Sequence, residues 1–337
     1  MKDISSFKNL PHYPVMLDQV MELCSPEKGG NFIDCTFGSG GYTNAILSFS
    51  GTKVISLDRD AHTKNYASII KKNFKERFTF YNEKFSNLDK VIKKGFKVDF
   101  IIFDLGVSSM QIFDLERGFS FNSKSNVDMR MGLNTISAQD VLNKCDLKTI
   151  KNILKYFGDE KDSSRIANNI IRERKISPIL SVPKLVDIIK KSKKKNFKKK
   201  INISTQAFQA LRVFVNKEVS ELISGLINAT KFLKKGGKII VISFHSLEDK
   251  IAKFYFSNYS KNKSKVSRYS PEDTDKKILF EDYKNKIIRP NESEIKENSS
   301  SRSAKLRYAI RSKDNFFYPN EFKEKFSNYL SLESEYV

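Results

Sequence analysis

The stretch "NFIDCTFGSGGYTNAIL" (residues 31–47) decides the fold. An apolar run ends at Asp34, three glycines follow at 38, 40 and 41, and a helical pattern begins at Tyr42. A strand, a glycine turn and a helix in that order place backbone N–H groups and a helix N-terminus where an anionic or nucleotide-like ligand can approach. Three ligands compete for such a turn, and an ordinary tight turn is the plain alternative. A nucleoside triphosphate needs GxxxxGK[ST], and no Gly-Lys-Ser/Thr follows. A dinucleotide needs GxGxxG, and Thr43 stands where the third glycine would allow close helix-to-strand packing. S-adenosylmethionine is the third option, with its carboxylate near the helix N-terminus.

Working outward, "TKVISLD" (52–58) reads as a second strand ending in Asp58, twenty residues after Gly38. An acidic side chain there accepts from ribose hydroxyls, which suits a dinucleotide and S-adenosylmethionine equally. Asp34 suits the methyl donor better, since it would repel a pyrophosphate; otherwise it organises the turn. "RFTFYNEKF" (77–85) alternates as a third strand, and "VDFIIFDLG" (98–106) is a continuous apolar fourth. Asp104 ends that run. Ligands of open parallel sheets sit beyond the carboxyl ends of strands, which places Asp104 in the cleft beside the transferring group.

Strands separated by helices predict an α/β, doubly wound, mostly parallel sheet. From Gln111 to Arg212 the pattern turns wholly helical, with Ser or Asp at several starts, so an inserted helical domain is expected there. "KEVSELISGLINATKFLKKGGKIIVISF" (217–244) resumes the sheet with a helix, a Gly-Gly stop and an apolar strand. Residues 260–300 read as loop, and "AKLRYAIRS" (304–312) as one more strand.

The chain has 337 residues and a formal net charge of +22, with 61 basic and 39 acidic side chains. That excess points to a polyanionic partner. The competing explanation is lysine-rich bias, with runs such as "KKSKKKNFKKK" (190–200) as solvated surface. Three scattered cysteines and three histidines, without a CxxC, argue against a disulfide framework or zinc cluster and make a reducing cytoplasm the default. No apolar run approaches the roughly 20 residues of a membrane helix.

Eight segments in order resemble the bacterial small-subunit ribosomal RNA cytosine-N4 methyltransferases, the RsmH (MraW) family. They are "HYPVML" (12–17), "DCTFGSGGYT" (34–43), "LDRD" (57–60), "FDLGVSSMQ" (103–111), "ERGFSFNSKSNVDMRM" (116–131), "FQALRVFVNKE" (208–218), "VISFHSLEDKIAKF" (241–254) and "SRSAKLR" (301–307). The resemblance implies a class I S-adenosylmethionine-dependent, Rossmann-like methyltransferase domain at 1–110 and 213–312. It implies an inserted all-helical domain at 111–212 for RNA recognition, and leaves 313–337 as an extension of unassigned role. It implies S-adenosylmethionine as donor, no metal, and a decoding-centre cytosine of 16S rRNA in the small subunit as acceptor. No membrane partner is expected, and a homodimer is left open. Donor-binding residues carried over by position are Gly40, Gly41, Tyr42, Asp58, Phe85, Asp104 and Gln111. For Phe85 the choice lies between packing on adenine and packing in the core.

The chain departs from the family pattern in three places. Tyr42 replaces a histidine, Gln206 and Ser300 replace arginines, and Lys198 to Lys200 are the cations placed to compensate. Exocyclic N4 of cytosine is a weak nucleophile, so alignment is the expected catalytic task. Asp104, or a carbonyl of "DLGVSS", is the candidate acceptor for an N4 proton. His245 either faces the base or bonds a neighbouring carboxylate such as Glu248. Arg117, Arg130 and Arg302 are the candidate phosphate contacts, or else ion-pair partners within the protein. Phe119 and Phe121 either stack on RNA or pack in the core. Two other classes compete: an NAD-dependent oxidoreductase and a non-catalytic RNA-binding protein on a decayed sheet.

Overall fold

A computed structural model describes residues 14–193, 202–261, 277–281 and 283–335. Lys198 to Lys200 and the first two residues of the 12–17 motif lie outside them. The chain forms two compact units, residues 1–106 with 221–325, and residues 107–220 with 326–337.

The first unit holds a six-stranded sheet: β1 (Gly30–Asp34), β2 (Thr52–Leu57), β3 (Phe78–Tyr81), β4 (Val98–Asp104), β5 (Leu233–Ser243) and β6 (Lys305–Ile310). Their order is β3-β2-β1-β4-β5-β6, with β5–β6 antiparallel and every other pair parallel. The doubly wound parallel sheet expected from sequence is present, with an antiparallel edge strand. Phe32, Phe100, Ile102, Ile240 and Ile242 join one buried cluster with residues of the helices Leu17–Cys24 and Gly41–Leu47. The alternate residues Ile33, Ile101, Phe103, Ile239 and Val241 are buried too. Burial of both sets explains why these strands read as unbroken apolar runs. Strand order reverses between β1 and β4, and the crevice beyond their carboxyl ends is where ligands of such sheets bind.

The Gly-Gly pair was expected to separate helix from strand. Instead the helix Glu218–Phe232 ends before it, and β5 pairs with β4 on both sides of it, Val98 with Leu233 and Phe100 with Lys238. Gly236, at φ 79°, and Gly237, whose Cβ would lie 3.0 Å from the Asp99 carbonyl oxygen, form a bulge inside the strand.

The second unit is helical, with helices at Ser109–Phe113, Ala138–Lys144, Leu147–Gly158, Ser163–Ile176, Val182–Ser192 and Thr205–Val215. Ser137 and Asp146 cap two of them by accepting from backbone N–H groups. The expected boundaries at 110, 212 and 312 fall instead at 106, 220 and 325, so the extension is divided. Asn320–Lys325 packs Phe322 on Tyr255, with ring centroids 4.5 Å apart, in the first unit. Ser327–Ser334 belongs to the second, where buried Glu333 accepts from the backbone N–H groups of Val219 and Ser220. Among the described residues no helix is long and apolar enough to cross a membrane.

Candidate active site

The ends of β2, β1 and β4 lie side by side, and each carries an aspartate. Asp34 is fully buried and faces inward. Its Oδ2 accepts from Thr43 Oγ1 at 2.7 Å and its Oδ1 from Thr36 N at 3.2 Å. Thr43 shares a further hydrogen bond with buried Ser56. Asp34 therefore organises the turn, the second of its two expected roles. Burial pushes its carboxyl up to about 6. Thr43, at the place of a dinucleotide fold's third glycine, is the hub of this network, which occupies the space a close helix-to-strand contact would need.

Asp58 stands just past β2. Its Oδ2 accepts from Gly38 N at 2.7 Å and its Oδ1 from Asp60 N at 2.8 Å, so it ties the glycine turn to the second strand. Burial raises its carboxyl to about 6, against those two hydrogen bonds. A carboxylate has about four lone-pair sites, and two remain for a ligand's hydroxyls.

The three glycines of the turn have different reasons to be glycine. A Cβ on Gly40, at φ 83°, would lie 2.5 Å from Ile70 Cδ1 and 2.8 Å from the Phe37 ring; on Gly41 it would lie 2.8 Å from Pro14 Cγ. Both positions are small because protein packs against them. Gly38, at φ 55°, faces open space. Sequence reasoning carried Gly40 and Gly41 over as ligand contacts; Gly38 is the one of the three beside which an added Cβ would meet no protein atom within 4 Å.

Asp104 ends β4. Its N–H donates to Thr36 Oγ1 at 2.7 Å, and Thr36 so joins the ends of β1 and β4, a role that sequence reasoning missed. Asp104 Oδ2 lies 3.2 Å from the Tyr42 hydroxyl, while Oδ1 is buried without a hydrogen-bond partner. Burial, with Asp34, Glu248 and Glu294 nearby, pushes this carboxyl up to about 8. Tyr42 is buried and also donates to the Val15 carbonyl. His245 follows β5, with Nε2 3.1 Å from Glu248 Oε1. Glu248 Oε2 accepts from the N–H groups of Phe244 and His245.

Phe85 is partly buried. Its ring meets the edge of Phe103, centroids 5.3 Å apart, and fills the space beside Gly225, so part of its surface is committed to the core. Gln111 lies in the second unit, where it is buried and closes a capping box with Ser108. Of the arginines, Arg117 donates to the Arg130 carbonyl and lies over the Phe119 ring. Arg130 forks onto Asp128. Arg302 is exposed in the turn Ser299–Ser303. Phe121 meets Phe208 edge-on, and Gln206 donates to the Asp159 carbonyl, joining two helices.

A doubly wound sheet with a glycine turn after β1 and acidic groups at the ends of β2 and β4 defines a class I, Rossmann-like methyltransferase fold. The model of the MraW methylase family matches residues 9–312, and the chain belongs to that family. It is 41% identical over 301 residues to the ribosomal RNA small subunit methyltransferase H of Rickettsia typhi (strain ATCC VR-144 / Wilmington), covering 88% of this chain and 97% of that protein. With the protein of the same name from Ehrlichia canis (strain Jake) it shares 39% over 303 residues, 89% of this chain and 99% of the relative. A crystal structure of an rRNA methylase from Streptococcus thermophilus aligns over 88% of this chain and 95% of its own, at 9% identity and a TM-score of 0.39.

Proposed function

We propose that this protein methylates small-subunit ribosomal RNA with S-adenosylmethionine, and that the acceptor is the exocyclic N4 of a decoding-centre cytosine. The observation that carries this reading is the contrast at the sheet's carboxyl edge. Asp58 keeps lone pairs free, Gly38 faces open space, and Asp104 has a buried oxygen without a partner. These are the features of a polar ligand site, and family membership makes that ligand a methyl donor.

The donor supplies an electrophilic methyl carbon. Asp58 would accept from its ribose hydroxyls, the open face at Gly38 would admit its backbone approach, and the uncommitted surface of Phe85 would meet the adenine. Tyr42 acts on Asp104 and, with Gly40 and Gly41, shapes the turn. Gln111 stays a donor-binding candidate on the family resemblance alone. Asp104 accepts from an N4 hydrogen, which favours the nitrogen lone pair over conjugation and aligns it for in-line attack. Methylated N4 sheds one proton to solvent, so no tuned general base is required. The helical unit supplies RNA contacts through Arg117 and Arg130, the sheet unit through Arg302, and no metal takes part.

The test is direct. The protein is incubated with labelled S-adenosylmethionine and small subunits lacking the modification, and the labelled nucleotide is mapped. Label on one decoding-centre cytosine, at N4, is the expected result. Label on a ring carbon or a ribose would refute the N4 assignment, and small subunits left without label would refute the substrate.

A further inference from the structure

We infer that burial and an unpartnered oxygen hold Asp104 as a neutral carboxylic acid until a cationic methyl donor enters, so that donor binding releases a proton and the site discriminates the sulfonium donor from its neutral thioether product. The inference rests on the proposed use of S-adenosylmethionine and adds how the site tells donor from spent donor.

The geometry begins with one proton. The Tyr42 hydroxyl has a single hydrogen and two oxygen neighbours, the Val15 carbonyl and Asp104 Oδ2. The Val15 carbonyl is the nearer, and it can only accept. The same hydroxyl donates to Asp104 Oδ2 at 3.2 Å, and one hydrogen cannot fully serve both acceptors. Asp104 Oδ1 has no partner that would stabilise a negative charge. The groups acting on Asp104 from the surrounding elements are Tyr42 on the helix Gly41–Leu47, Asp34 on β1, Glu248 on the helix Ser246–Asn258 and Glu294 on the helix Glu292–Glu297. His245 sits against Glu248. Asp34, Glu248 and Glu294 are all acidic. Burial and these neighbours raise its carboxyl to about 8, although a phenol acting as donor would pull the other way. Because the phenol hydrogen is shared with the Val15 carbonyl, that pull is weakened and burial prevails.

A sulfonium beside Asp104 reverses the balance. The carboxylate becomes the favoured form, and its proton passes to solvent. Once the methyl group has left, the sulfur is neutral, Asp104 takes a proton back from solvent, and the product loses its charge partner. Linkage then requires donor affinity to rise with pH up to about 8 and to level off above it.

The experiment is calorimetry on the full chain, titrated with S-adenosylmethionine or S-adenosylhomocysteine in buffers of different ionisation enthalpy at pH 7 and pH 9. Close to one proton should be released per donor at pH 7 and close to none at pH 9. Donor affinity should rise roughly fivefold to tenfold over that range. S-adenosylhomocysteine should release clearly less. The ligand's own α-amino group titrates in the same range, so Asp104→Asn is the control and should remove the protein's share of the release. Tyr42→Phe separates positioning from mere packing: loss of the donating hydroxyl moves the pH break upward. An unmoved break would show that the titrating group is not Asp104 and would overturn the inference. So would donor binding without buffer-dependent heat, or equal release for both ligands. No donor binding at all would bring down the proposed function together with this inference, whereas the other failures leave that function standing.

Discussion

The carboxyl ends of β2 and β4 look alike in sequence and are wired differently in space. Both are apolar runs closed by an aspartate, Asp58 in one case and Asp104 in the other. Asp58 has a backbone N–H on each oxygen, from Gly38 and Asp60. Asp104 has a phenol near one oxygen and nothing on the other. The first carboxylate is already held in its ionised geometry and offers its spare lone pairs to a ligand. The second is unsatisfied, and an unsatisfied buried acceptor costs free energy that a ligand or a proton must offset. A carboxylate that binds the ground state differs in this way from one placed for the reacting group.

The largest expected effect falls on the unsatisfied end. Asp104→Asn keeps the shape and loses the charge. Single-turnover methylation at saturating donor and RNA should slow by roughly 10²–10³, the cost of removing one preorganised electrostatic group. An unchanged rate would erase the difference between the two ends and make Asp104 a loop organiser. The glycine turn gives the next effect. Gly40→Ala forces a side chain into Phe37 and Ile70 at a positive φ, which should destabilise the fold by about 3 kcal/mol in denaturant titration. Gly38→Ala meets open space, and should cost about 1 kcal/mol of stability while weakening donor binding. Equal stability losses would mean that packing does not separate the two glycines. Asp58→Ala should weaken donor affinity by about 2 kcal/mol, roughly thirtyfold, with little change in the single-turnover rate at saturation. Calorimetry showing full affinity would remove Asp58 from the donor site.

Apolar runs ended by aspartates, with helical spacing between them, made the sheet legible, because strands buried on both faces leave few other readings. The same logic made the helical stretch after residue 111 stand out. Two things lay beyond it. The Gly-Gly pair reads as a stop signal, since glycine ends helices and also forms bulges, and only the register of β4 against β5 distinguishes these. Within the site, Asp34, Asp58 and Asp104 carry the same local signal, and their difference depends on partners far along the chain. Tyr42 lies 62 residues from Asp104, and Glu294 far beyond. The glycines fail in the same way: whether a Cβ would meet protein or open space depends on Pro14 and Ile70, which no turn pattern contains. Thr36 was overlooked because a threonine in a turn has no signature, and its hydroxyl matters only once β4 lies beside β1.

The last and smallest effect is a pH dependence of stability that separates the two ends once more. Both carboxyls are raised by burial above the unfolded value near 3.9, Asp58 to about 6 and Asp104 to about 8. A raised group binds its proton more tightly when folded. Its contribution is complete below the unfolded value and is lost as pH climbs through the folded one. Asp58 and Asp34 should therefore stop eroding stability near pH 6, while Asp104 continues to about pH 8. Glu333, raised to about 7 by burial in the second unit, erodes it over part of the same range. Thermal unfolding followed from pH 5 to pH 9 should show Tm falling and then levelling. Asp104→Asn should flatten the part between pH 6 and pH 8 and gain a few degrees in Tm over the unsubstituted chain at pH 8. Asp58→Asn should alter only the part below pH 6. A slope from pH 6 to pH 8 that survives Asp104→Asn unchanged would place the titrating group elsewhere, with Glu333→Gln as the variant to examine next. A slope removed by Asp58→Asn would mean that the two strand ends have exchanged the roles their hydrogen bonds assign.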